Sequence, residues 1–307
     1  MPGPTIEVRS GNGVLVEWEN QLPERHYLPI DHGLCGAGAD LPEVRTAVHV
    51  HGAKAPPESD GYPEHWFVPG QSAVGHYPNR QEAATLWYHD HAMGIERLNQ
   101  YAGLFGMYLV RDELESSLGL PAGEFEVPLI LCDRLFDAEG QIVYPSAPTL
   151  ESPWVSEVYG DVILVNGTIF PYLEVAPQPY RFRVLNASNS RFLSLSLSDG
   201  FPLYQIGTEQ GFLATPAEQR ALTLAPAERA DLVVDFLLPP SQKGTFVEHS
   251  GIFPYVGICW DVSICKDAIT DRLIDPGDCK VERERSADLL GIIMPQPFLP
   301  RGDPFFV

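Results

Sequence analysis

Short runs of alternating apolar and polar residues, each closed by glycine, proline or asparagine, constrain this chain more than any other feature. In "TIEVRS", Ile6 and Val8 fall on one face of an extended strand and Glu7 and Arg9 on the other, because successive side chains point to opposite sides. "VLVEWEN" follows after a Gly-Asn-Gly turn signal, and "TAVHVHG", "ATLWYHDH" and "LFGMYLVRD" continue the series. A second series runs through "FEVPLILCDRLFD", "DVILVNGTIFPYLEV", "YRFRVLNAS", "FLSLSLSDG" and "ADLVVDFLL". Within it, Asn166-Gly167 between two apolar runs predicts a tight hairpin. Short strands together with 29 prolines and 27 glycines fit β-sandwiches rather than alternating βα units. Only "RDELESSLGL" reads as a helical linker, and the domain boundary is placed there. The expectation is an all-β chain with one sandwich over 1–115, a second over 116–250, and an irregular tail over 251–307 that mixes charge and apolar residues without a strand period.

The totals exclude several classes of function. The 307 residues suffice for two domains with ample cores. No apolar run approaches the ~20 residues of a membrane-spanning helix, so no membrane partner is expected. Acidic residues number 41 against 20 basic ones, a net charge of -21. That balance argues against binding nucleic acid, whose affinity rests on Lys and Arg at phosphates. It suits a well-solvated surface and attraction for cations, metal ions included. The five cysteines, Cys35, Cys132, Cys259, Cys265 and Cys279, are odd in number, irregularly spaced and lack a CxxC pair, so neither a zinc knuckle nor a dithiol redox site is supported. Met1 is not followed by a charged-then-apolar leader, which makes a cytoplasmic or spore-coat-like location the expectation. The sequons at Asn166 and Asn186 read as turns, and Arg301-Gly302-Asp303 as a chance tripeptide.

The histidines carry the chemistry. Nine occur, and four of them form two tight pairs: His49 and His51 in "HVHG", His89 and His91 in "WYHDHAMG". Residues two apart share one face of a strand, so His49 and His51 point the same way, and His89 and His91 share a face with Trp87. One such pair alone is commonly just hydrogen-bonded or exposed. Two pairs on neighbouring strands can converge four imidazoles on one point, and neutral imidazole suits copper, zinc, iron and nickel. His49, His51, His89 and His91 are therefore the candidate metal ligands.

These two motifs resemble the first two copper motifs of the multicopper oxidases. "PGPTIEV", "LPIDH", "SDGYPEHWF", "YPNRQ", "LNQYAGLFGMYLVRD", "YPSAP", "ILVNGTIFPYLEV", "YRFRVLNASNSR" and "LAPAERADLVVDF" are similar to the branch of spore-coat laccase, bilirubin oxidase and phenoxazinone synthase, over roughly Pro2 to Phe236. The resemblance implies cupredoxin-like Greek-key sandwiches and copper as cofactor, with electrons passing from a small aromatic substrate at a type 1 copper to O2 at a trinuclear cluster. It matches His49 to the type 2 ligand, His51 and His89 to ligands of one type 3 copper, and His91 to a ligand of the other. Asp60, in "SDGYPE", matches an acidic residue near the cluster and reads either as a proton relay or as a turn residue before Gly61. His32, His65 and His76 match no ligand position and read as structural, His26 and His249 as surface or packing residues. Trp87 and Tyr88 read as core and wall, and Met93 as packing.

The resemblance stops short of a full copper set. The family completes its ligands with an HPxHxH and an HCHxxxHxxxxM motif in a last domain. Here the histidine beyond His91 is His249, and Cys259, Cys265 and Cys279 have no histidine beside them. The resemblance thus implies the first two domains of a three-domain oxidase. The expectation is a partly occupied cluster at best, no turnover by this polypeptide alone, and completion by a missing third domain or a second chain. The rival expectation is a non-catalytic module holding copper or zinc at the same histidines.

Overall fold

A computed structural model describes residues 2–145, 155–197 and 201–236, with the backbone alone of Phe246–His249 and Val256–Ile258. The strands in chain order are β1 (Ile6–Arg9), β2 (Val14–Glu19), β3 (Val48–His51), β4 (Ser72–Tyr77), β5 (Ala84–Asp90) and β6 (Phe105–Arg111), with helix α1 (Glu96–Ala102) before β6 and α2 (Glu113–Ser117) after it. Then come β7 (Glu126–Phe136), β8 (Ile142–Val143), β9 (Val162–Val165), β10 (Thr168–Ile169), β11 (Pro179–Asn186), β12 (Leu193–Leu197), β13 (Leu203–Thr208), β14 (Gly211–Gln219), β15 (Leu222–Leu224), β16 (Arg229–Asp235), β17 (Phe246–His249) and β18 (Val256–Ile258). The chain is all-β, as its alternation predicts. Among the described residues no helix is long and apolar enough to cross a membrane.

Strand β5 shows how the sequence builds the first sandwich. Its sheet has the order β1-β6-β5-β3 and faces the two-stranded β2-β4 sheet. Leu86 and Tyr88 point inward with Tyr108 and Val110 of β6, Val8, Val50 and Tyr77. Trp87 alternates to the opposite face with Phe105, Met107 and Leu109, and this face packs on Ile130, Cys132, Leu164, Leu185 and Ala187 of the second unit. All seven residues of β5 are consequently buried. Each large apolar side chain so buried stabilises the fold by about 1.5–3 kcal/mol.

The second unit stacks a sheet of order β10-β9-β7-β11-β16-β13-β14, with β8 on the end of β7, against β15-β12-β17-β18. "LSLSL" in β12 sends Leu193, Leu195 and Leu197 into the core beside Tyr180, Phe182 and Val184 of β11. In both units a crossover brings non-consecutive strands together in parallel, β1 beside β6 and β7 beside β11. The predicted hairpin joins β9 to β10 with Val165 opposite Thr168. Asn166 and Gly167 both take left-handed φ, 50° and 80°, as a two-residue hairpin of this hand requires. Asn186 corrects the turn reading of its sequon: it ends β11, fully buried, and its amide donates to the carbonyls of Arg191 and Leu224.

The expected linker contains α2, shorter than its sequence stretch and capped by Asp112, whose carboxylate accepts from the Glu115 N–H at 2.8 Å. Pairing of β18 with β17 carries strand structure past residue 250, where the irregular tail was expected to begin. The rest of that tail, with Cys259, Cys265 and Cys279, lies outside the described residues.

A buried ionic network joins the two units. The odd residues of β11 face away from its own core. Arg181 pairs through two nitrogens with Asp231 at 2.9 and 2.6 Å and reaches Glu115 at 2.9 Å. Arg183 contacts Glu126 at 2.8 Å, Asp231 at 3.3 Å, Glu115, and the hydroxyl of Thr85 on β5 at 2.9 Å. Arg111 at the end of β6 completes it, binding Glu126, Glu115 and Glu7.

Candidate metal centre

The antiparallel register of β3 and β5 sets His49 opposite His89 and His51 opposite Trp87. Alternation then turns all the histidines to one side, and His91 follows one residue beyond the end of β5. The four imidazoles cluster: ring centroids are 5.3 Å apart for His49 and His89, 5.0 Å for His49 and His91, and 5.6 Å for His51 and His89. Ligand nitrogens of His49, His51 and His89 lie within 4.8 Å of one another. Sequence reasoning placed these side chains on common strand faces, and the fold brings all four to one spot.

Backbone carbonyls fix three of the rings from behind. His49 Nδ1 donates to the Asp60 carbonyl at 2.6 Å, His91 Nδ1 to the Gly61 carbonyl at 2.8 Å, and His89 Nδ1 to the Asp90 carbonyl at 2.7 Å. An Nδ1–H so engaged leaves Nε2 with its lone pair free, the tautomer that binds metal. Gly61 has φ +77°, and a Cβ there would lie 2.4 Å from the Val48 carbonyl, so only glycine lets this loop press against β3 and reach the rings. His51 differs, presenting Nδ1 to His89 Nε2 at 3.3 Å. Two nitrogens each about 2 Å from one ion stand about 3–3.4 Å apart, so the His51 and His89 donors, 3.3 Å apart, are spaced to share a copper-sized ion.

Burial keeps two of these rings, His51 and His89, neutral. Burial is the largest effect on His89, 4% exposed, and lowers its pKa to about 3 against the pull of the Asp90 carbonyl. Burial, helped by the Arg229 guanidinium and by His49 and His91, lowers His51 to about 4. Asp90 moves the other way, raised to about 6 by burial in spite of hydrogen bonds from Thr46, Asn99, Ala92 and Ala47.

These shifts predict how the metal-free chain responds to acid. Unfolded imidazoles take protons near pH 6.5, whereas folded His51 and His89 take none until about pH 4 and 3. Unfolding therefore consumes protons and stability falls as pH drops below 6.5. The slope grows from pH 7 to about one proton near pH 6 and then levels, because Asp90 protonates in the folded state and offsets one of the two imidazoles. Denaturant midpoints measured from pH 7 to 4.5 check this order, and a midpoint constant down to pH 5 contradicts it.

The second unit closes the site from the other side. A cleft of about 370 Å3 is lined by the four histidines, Trp87, Glu96, Arg97 and Gln100 of the first unit, and by Ser188, Asn189, Pro226 and Ala227 of the second. Trp87 stacks on His51 and lies 4.2 Å from His89, ring to ring. Three buried polar atoms here, Trp87 Nε1, Ser188 Oγ and Asn189 Oδ1, have no protein partner. A buried polar atom without a partner costs about 1–3 kcal/mol, so this cleft favours a polar occupant. Trp87 was read from sequence as a core and wall residue; the other wall residues were not picked out as site residues.

Asp60 follows a short 3-10 turn at the outer side of the cluster, half-exposed, with Oδ1 3.3 Å from His49 Nδ1. Met93 packs on Gly36 away from the rings, and Tyr88 donates to the Pro4 carbonyl within the first core. His32 bonds the Ala37 carbonyl and His65 lies tilted against the Tyr62 ring, while His76 is exposed on β4. His26 fits the packing reading: it is half-buried and its Nε2 meets Asn99 Oδ1 at 3.1 Å. The side chain of His249 lies outside the described residues.

Comparison with known proteins places this geometry. Residues 40–115, which hold all four histidines, match the family description "Multicopper oxidase". The laccase of Bacillus subtilis is 48% identical over 288 residues, covering 89% of this chain and 56% of the relative. The laccase of Bacillus stratosphericus is 47% identical over 252 residues, covering 77% of this chain and 49% of the relative. Among solved structures, the McoA multicopper oxidase of Aquifex aeolicus superposes with a TM-score of 0.67 at 30% identity, over 83% of this chain and 53% of that one. The chain therefore spans about half the length of the relatives it matches. Its sandwiches are cupredoxin-like, its four histidines meet where a metal site would be built, and the chain belongs to the multicopper oxidase family, with the bacterial laccases among its relatives.

Proposed function

We propose that this chain supplies half of a copper centre for a laccase-type oxidase. The assembled protein would oxidise phenolic or related aromatic substrates and reduce O2 to water. The observation that carries the reading is the convergence of four imidazoles with three Nδ1 atoms tied to carbonyls, so that His49, His89 and His91 offer Nε2 and His51 offers Nδ1. By the family correspondence, His49 would hold the type 2 position, and His51, His89 and His91 the type 3 positions. Copper, when bound, would supply one-electron redox chemistry. The protein's own contribution is to hold the donors oriented, with His51 and His89 kept neutral, and to wall the cleft from solvent with Trp87, Ser188 and Ala227. Asp60, half-exposed with Oδ1 beside His49, would serve as the carboxylate of a proton relay toward the cleft.

The remaining ligands and the type 1 site would come from a third domain or a second polypeptide, since no cysteine of these 307 residues adjoins a histidine. The test is to load the purified 307-residue chain with cupric ion, remove the excess, and record copper content, visible absorbance and oxygen uptake with a phenolic substrate. Retained copper without an intense blue band or turnover is expected. No retained copper, with zinc held instead, would support the non-catalytic module. Turnover with a blue band would refute the half-site reading.

A further inference from the structure

Between the two ligands of "HDH" stands Asp90, a residue that alternation alone assigns to the face opposite the histidines. Its carboxylate is 2% exposed and reaches three separate segments. Oδ1 accepts from the Ala47 N–H at 3.1 Å, two residues before His49. Oδ2 accepts from the Ala92 N–H at 3.1 Å, directly after His91, and from the Asn99 side-chain amide of α1 at 2.9 Å. Its own carbonyl accepts from His89 Nδ1 at 2.7 Å. Asn99, equally buried, spends its second amide hydrogen on the Arg45 carbonyl at 3.0 Å and accepts at Oδ1 from His26 Nε2. One acidic residue thus pins the strand that brings His49, the exit that brings His91, and the ring of His89.

We propose that Asp90, held by Asn99, is a positioning residue of the copper centre: it sets the spacing of His49, His89 and His91 and thereby the affinity for copper. The inference rests on the reading of these histidines as copper ligands. The chemistry of the position requires a carboxylate. Donors approach both oxygens, so an amide of the same shape must turn its NH2 against a backbone N–H in either orientation. Outer groups that orient metal-bound histidines typically change metal affinity 10- to 100-fold when removed.

The experiment compares cupric-ion affinity, by competition against a chelator, and the electron paramagnetic resonance spectrum for wild type, Asp90→Asn, Asn99→Ala and a control, Val184→Ala. Val184 is fully buried in the second core, away from the cleft, so its truncation lowers stability without touching the ligand strands. Asp90→Asn should bind copper about 10- to 100-fold more weakly with an altered spectrum. Asn99→Ala should show a smaller loss in the same direction and remains informative if Asp90→Asn does not fold. Val184→Ala should keep wild-type affinity and spectrum. Wild-type affinity in both Asp90→Asn and Asn99→Ala, or an equal loss in Val184→Ala, overturns the proposal. Failure of wild type itself to bind copper would instead sink the reading on which it rests.

Discussion

Arg183→Met is expected to destabilise the chain by about 3–5 kcal/mol, the cost typical of breaking a buried charge network from one side. Arg183 is 1% exposed and contacts Glu126, Asp231, Glu115 and Thr85. Methionine preserves most of the volume, so the loss isolates charge from packing. Glu115, Glu126 and Asp231 would then share two guanidiniums, those of Arg181 and Arg111, instead of three. The Thr85 contact matters as well, because β5 leads directly to Trp87 and His89. Equilibrium denaturation measures the effect. A loss below about 1 kcal/mol, the range of exposed pairs, would mean that water reaches this network.

The second large effect belongs to His89→Ala. This ring faces His49 across the strand pair and meets His51 Nδ1, so its removal takes a donor from the middle of the cluster. Since loss of outer partners alone weakens metal binding 10- to 100-fold, loss of the ligand should weaken copper binding by more than about 100-fold. The same substitution should flatten the acid dependence of the metal-free chain, because the more strongly shifted of the two depressed imidazoles is gone. Titration with cupric ion and denaturation across pH read the two consequences separately. Unchanged copper affinity would remove His89 from the site.

Much of this fold can be seen in the sequence because its signals are local. The β9–β10 hairpin follows from Asn166-Gly167, and the core faces of β5, β11 and β12 follow from alternation. The candidate ligands were legible for the same reason, since a spacing of two fixes a common face. What stayed hidden depends on distant partners. Arg181 and Arg183 alternate with apolar residues in a pattern that ordinarily marks a solvent face, yet the first sandwich covers that face. Asp90 reads as a spacer until α1 and the Ala47 backbone close over it. Ser188, Asn189 and Ala227 belong to loops whose only role in the cleft is to arrive there. Helix α1 offered little to read, being seven residues long with no side-chain N-cap. Its end is marked by Gly103 at φ 110°.

The most direct measurement is the electron paramagnetic resonance of the wild-type chain at one equivalent of cupric ion, beside a variant with His49, His51, His89 and His91 all changed to alanine. Convergent imidazoles predict bound copper with hyperfine splitting from more than one nitrogen, and no such signal in the variant. A wild-type spectrum of loosely bound aqueous copper, or one the quadruple variant reproduces, would contradict the assignment of this cleft as a copper centre.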